Sequence, residues 1–137
     1  MGSHAVIAVK HGKKIEAIIT NFDGGVEHTG VILAGFYNTP EQANALIELG
    51  NLSQLNEKIA PDAGRNHSWA QPAEGVTIAY HRDRGEPRKI LGTFQRESEL
   101  TSIAEYTYLF DGKRWLVWGL GNKNEWIELK VTLGGNK

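Results

Sequence analysis

The segment that most constrains this chain is Ala5–Val9, an uninterrupted apolar run. A strand carries side chains on both faces, so such a run is stable only inside a sheet covered on both sides. His11-Gly12-Lys13-Lys14 follows as a polar, glycine-containing turn, and Ile15–Phe22 resumes with Ile15, Ala17 and Ile19 set against Glu16, Ile18 and Thr20. Two strands joined by so few residues predict a β-hairpin.

Two helices are expected next. Asp23 stands where an N-cap carboxylate accepts the first free amides, and Val26, Gly30, Leu33, Phe36 and Tyr37 then share one stripe at helical spacing. Gly24, Gly25, Gly30 and Gly35 cost up to about 1 kcal/mol each in such a helix, so close packing is expected to offset them. Thr39-Pro40-Glu41-Gln42 is a stronger start, with threonine as N-cap, proline at the first position and glutamine where a capping box needs it. Ala43, Leu46 and Ile47 mark its buried side and Gly50 its end. Leu52–Ile59 reads as one more turn behind Ser53.

From Ala60 to Gly75 the periodicity is lost. Pro61, Gly64, Pro72 and Gly75 punctuate a long loop of the functional or disordered kind, and Trp69 argues for order. Val76, Ile78 and Tyr80 then alternate with Thr77, Ala79 and His81, predicting a strand that runs into Arg82, Asp83, Arg84 and Glu86. Arg96–Ala104 follows as a short helix behind Ser98 or Thr93. Glu105–Phe110 and Trp115–Trp118 flank Asp111-Gly112, a two-residue hairpin signal, and Trp126–Leu133 reads as a last strand. Hairpin-linked strands with helices grouped between them predict an α+β fold: one domain over residues 1–137, a mainly antiparallel sheet, and two central helices packed on one face. Residues 1–4 read as a native start, a disordered start or a tag remnant, and residues 134–137 as a flexible tail.

Composition narrows the function classes. A chain of 137 residues, 40% hydrophobic and 23% charged, is the size of one domain with a core of its own. Its net charge of −1 lacks the footprint of a general nucleic-acid binder, which is therefore not expected. No cysteine is present, which removes thiolate zinc sites, iron–sulfur clusters, disulfides and a cysteine nucleophile, and which fits a reducing cytoplasm. No run approaches the roughly 20 apolar residues of a membrane span, so no membrane partner is expected. The histidines, His4, His11, His28, His67 and His81, form no metal-binding spacing, so neither a metal nor a cofactor is expected. Ser68 beside His67 has no nucleophile-elbow context, and Asp23-Gly24-Gly25 lacks the spacing and the lysine of a phosphate loop.

What remains as a candidate ligand-binding set is Arg65, Arg82, Arg84 and Arg88 with Trp69 and Tyr80, flanked by His67 and His81. Guanidinium forks suit phosphate oxygens, and aromatic faces suit a base. Tyr106 and Tyr108 belong to the same aromatic inventory. On a strand Arg82 and Arg84 would converge on one anion with Asp83 turned away. The alternative is that the aromatics are core and that the arginines pair with Asp62, Asp83 and Glu86.

Several stretches carry a resemblance: Ala5-Val6-Ile7-Ala8-Val9-Lys10, the Asp23-Gly24 helix entry, Tyr37-Asn38-Thr39, Leu49-Gly50-Asn51-Leu52-Ser53, and Tyr80-His81-Arg82-Asp83-Arg84-Gly85-Glu86. In these the chain resembles, to about Trp115, a family of small phage- and prophage-encoded proteins. It departs from that family at Asn21–Val26, where members carry His-Trp-Asp-Gly-Tyr-Pro. In size and element order it is also similar to the first type of phage anti-Thoeris sponge proteins, small multimers that sequester cyclic ADP-ribose signals with arginines and stacked aromatics. No binding residue carries over from that second resemblance.

Together these imply a non-enzymatic, cytoplasmic anti-defence protein that sequesters a phosphate-bearing, cyclic nucleotide signal. The alternatives are an inhibitor that docks on a host defence enzyme through the Asp111-Gly112 hairpin, and a phosphodiesterase-like hydrolase using His67 and His81. Trp115, Trp118 and Trp126, with little helix left to cover them, add the expectation of a homo-oligomer.

Overall fold

A computed structural model describes residues 4–22, 24–118 and 124–129. The Asp23 cap, the start at residues 1–3, the connection at 119–123 and everything from residue 130 lie outside the described residues.

The apolar opening run forms β1 (Ala5–His11), an interior strand of a sheet that has eight strands among the described residues. Ala5, Ile7 and Val9 enter one core cluster and Val6 and Ala8 a second, as a run covered on both faces requires. The predicted hairpin brings β2 (Lys14–Phe22) antiparallel to β1, with Ala8 opposite Ala17. A π-helical turn over Val26–Gly30 leads without a break into α1 (Val31–Phe36), opened by an extended Gly25 that provides no side-chain cap. A Cβ added at Gly30 would lie 3.3 Å from the Val26 side chain and 3.5 Å from those of Leu129 and Tyr108, the close packing expected of a helical glycine.

α2 (Pro40–Glu48) starts as its sequence signals: Thr39 Oγ1 accepts from Gln42 N–H at 3.2 Å with Pro40 in the first turn. It ends at Gly50, whose φ of +78° and whose closeness to Lys89 O (2.7 Å from an added Cβ) both exclude a side chain. The extra turn expected beyond it is absent; the chain instead enters β3 (Leu52–Gln54), parallel to β2. A helical crossover between neighbouring strands makes them parallel, and β6 (Tyr106–Phe110) is likewise parallel to β1. The sheet is therefore mixed: among the described residues two parallel pairings stand beside five antiparallel ones, so antiparallel pairing predominates as expected, with parallel neighbours the sequence did not announce.

The remaining strands are β4 (Ile78–Ala79), β5 (Gly92–Phe94), β7 (Trp115–Trp118) and β8 (Trp126–Glu128). The expected helix over Arg96–Ala104 contracts to a 3-10 turn at Glu97–Glu99, where Glu99 Oε1 accepts from Gln95 and Arg96 N–H. The β6–β7 loop spans four residues rather than two, because Phe110 pairs with Trp115 and the Asp111 carboxylate accepts from Lys113 and Arg114 N–H. Trp115 is buried within its own chain and donates Nε1–H to Tyr37 O at 2.8 Å. It therefore needs no partner subunit to cover it; Trp118 and Trp126, packed edge to face at 5.3 Å, stay half-buried.

One topological feature positions the site. With β1 along one edge of β2, the other edge is divided end to end: Ile15–Ala17 pair with β5, and Thr20 and Phe22 pair with β3. At the break no strand reaches Ile19, and the Asn51 side chain takes its place, accepting Ile19 N–H through Oδ1 at 3.0 Å.

Candidate functional site

Val76–His81 does not continue as the expected strand. β4 ends at Ala79, and Tyr80–Arg84 forms a one-turn helix, α3. The Asp83 carboxylate reaches back to Ala79 N–H at 2.8 Å, satisfying an amide at the turn's entry, and Gly85 closes the turn at a φ of +82°. This corrects the side-chain geometry read from strand alternation. On a helix, residues two apart point to different sides, so Arg82 and Arg84 diverge and Asp83 turns inward.

Asp83 becomes the hub of a buried cluster. Its Oδ1 accepts from Arg82 Nε at 2.8 Å and from His67 Nε2 at 3.2 Å, and the His67 and Asp83 side chains are each only 4% exposed. Burial alone would raise the Asp83 carboxyl, but the hydrogen bonds from Arg82, Ala79 and His67 outweigh it and hold the group below the usual carboxylate range. Arg82 spends its other donors on Ile59 O and, at 2.7 Å, on Thr77 O. His67 Nδ1 accepts from Ala73 N–H at 2.9 Å, which makes Nε2 the protonated nitrogen and commits both ring positions. The cluster thus fastens the loop at 60–75 onto α3 and offers no free base. Ser68 Oγ is likewise engaged, accepting from Gln71 N–H at 3.1 Å.

The other candidates separate into two groups. Arg88 donates to Glu48 O and Ile47 O at 2.8 and 2.9 Å, capping the C-terminal end of α2. Arg65 stands exposed on the loop, its main-chain N–H donated to Asp62 O. Trp69, Tyr80 and Arg84 do come together: the two rings lie 5.4 Å apart, with the Arg84 guanidinium 5.0 Å from the Trp69 ring and paired with Glu86 at 2.8 Å. Tyr108, by contrast, is core; it donates its hydroxyl to Gly24 O, and burial raises its pKa.

Beside this aromatic plate lies a cleft of about 350 Å³ at the break in the β2 edge. Its floor is Ile19, Asn21, Asn51 and Tyr80, with Asn21 Nδ2 donating to the Tyr80 hydroxyl at 2.7 Å. Ile90 and Leu91 form an apolar wall, and Lys89, Glu86 and His81 stand at the rim. His81 Nδ1 donates to Glu86 O at 2.6 Å, leaving Nε2 as an acceptor. Asn21, Asn51 and Lys89 carry no local motif that marks them as site residues; only the division of the β2 edge brings them together. Among the described residues no group of three or more His, Asp or Glu side chains could hold a metal ion. No helix there is long and apolar enough to cross a membrane.

Comparison with protein-family models, with curated proteins and with solved structures finds no match to this chain.

Proposed function

We propose that this chain is a binding protein that captures a phosphate-bearing nucleotide without converting it. The observation that carries this reading is the cleft at the divided β2 edge, where a polar floor continues into the Tyr80–Trp69–Arg84 plate and Lys89 stands at the rim. A base would set its hydrogen-bonding edge against that floor, with its phosphate toward Lys89 and Arg84. Arg82 and Arg88 act in this reading as structural residues. The commitment of both His67 ring nitrogens favours capture over hydrolysis. Sequestration of a nucleotide immune signal, the role implied by the phage-protein resemblance, is a setting in which tight binding with slow release suffices.

The test is to incubate the protein with a nucleotide panel, including cyclic species, remove free ligand, and analyse the bound fraction by mass spectrometry before and after heat denaturation. One nucleotide is expected to be retained and released intact. A converted product would point to an enzyme, and retention of none would refute the reading.

A further inference from the structure

The hydrogen-bonding capacity of the cleft floor is only half used, and what is left over has a definite pattern. Asn51 Oδ1 is engaged by Ile19 N–H, which fixes the orientation of that amide and leaves its NH2 as a donor. Asn21 donates one Nδ2 hydrogen to the Tyr80 hydroxyl, so its second N–H is left as a donor and its Oδ1 as an acceptor. The hydroxyl oxygen already accepts and keeps its own hydrogen to donate. No described residue takes up these remaining positions, and all three side chains line the cleft. Because each is tied to the strand or to another floor residue, the set is preorganised, unlike the exposed Lys89 and His81 at the rim.

The unused set is rich in donors, both Asn51 N–H groups, the second Asn21 N–H and the Tyr80 O–H against the Asn21 Oδ1 acceptor, and its complement is a ligand edge with more acceptors than donors. Uracil offers this as carbonyl, ring N–H and carbonyl, and cytosine as amino group, ring nitrogen and carbonyl. Guanine presents the inverse, one acceptor and two donors, and adenine only one of each on the corresponding edge. Size points the same way: about 350 Å³ is at the small end of ligand sites, which run from about 300 to 1,000 Å³. Resting on the nucleotide reading above, we infer that the cleft selects a pyrimidine nucleotide, read by Asn21, Asn51 and Tyr80.

The experiment is calorimetric titration with uridine, cytidine, guanosine and adenosine 5′-monophosphates, which share one phosphate and differ in the base. Uridine and cytidine monophosphates are expected to bind at least about tenfold more tightly than the purine pair, the equivalent of one hydrogen bond. Asn51→Asp keeps an acceptor for Ile19 N–H and turns the free donor into an acceptor. It should lower pyrimidine affinity by about tenfold more than guanosine affinity, the added charge acting alike on every phosphate. Tyr80→Phe, which keeps the ring and removes one donor, should also lower pyrimidine affinity more than guanosine affinity. Circular dichroism checks that both variants fold. Binding of all four without a pyrimidine preference, or variants that weaken all four equally, would overturn the base assignment while leaving nucleotide capture standing. Binding of none would overturn the assignment, and the heat-release assay then decides the capture reading separately.

Discussion

Replacing Arg82 by alanine separates a structural arginine from a ligand-binding one. The substitution strips Asp83 of its closest cation, at 2.8 Å, and leaves a carboxylate that is 4% exposed with only Ala79 N–H and His67 as donors. It also removes the donors to Ile59 O and Thr77 O. Breaking a fully buried pair costs about 3–5 kcal/mol. The Arg82 side chain is 29% exposed, so water reaches part of the vacated space. We therefore expect about 2–4 kcal/mol, or a fall in Tm of roughly 6–16 °C for a domain of this size.

Arg84→Ala is the control. Its side chain is 51% exposed and its partner is the surface residue Glu86, so stability should change by less than about 0.5 kcal/mol. The pH dependence adds a second check. In the wild type the lowered Asp83 pKa contributes stability that is present above the unfolded-state value, near about 3.9, and is lost as pH falls through the folded one. Without Arg82, burial acts with less opposition and raises that carboxyl, so the mutational penalty is largest at neutral pH and shrinks in acid. Urea denaturation of both variants at pH 7 and at pH 3.5 measures this. Equal losses for Arg82→Ala and Arg84→Ala, or an Arg82→Ala penalty independent of pH, would refute the account of Asp83 as a buried hub.

Two further outcomes follow from the same geometry. Gly50→Ala should lower the urea midpoint by the equivalent of about 2–3 kcal/mol, since it combines a left-handed backbone with a contact against Lys89 O, and an unchanged midpoint would contradict it. His67→Ala should release the loop at 60–75, raising the rate of tryptic cleavage at Arg65 by about tenfold or more while the melting curve stays cooperative; an unchanged rate would show that the loop is held elsewhere.

The sequence by itself determined those elements whose signals are local. The doubly apolar Ala5–Val9 run required an interior strand, the Thr39-Pro40-Gln42 start required a helix, and alternation assigned Tyr106, Tyr108 and Phe110 to one face of a strand. Each follows from side-chain periodicity or from a cap closed within a few residues. Only the tertiary structure decided the rest. The same alternation failed at Val76–His81, because the Asp83 carboxylate, coming back to Ala79 N–H and meeting Arg82 and His67, makes one turn of helix more favourable than two more strand residues. Strand polarity was not legible, since β3 and β6 pair with strands that precede them by many residues. The candidate cleft was the least legible feature of all: Ile19, Asn21, Asn51 and Tyr80 meet only because β3 and β5 divide one edge of β2 and leave a gap that a single asparagine amide fills. No local pattern encodes such a gap, because its energy comes from main-chain groups whose partners are chosen by the whole sheet.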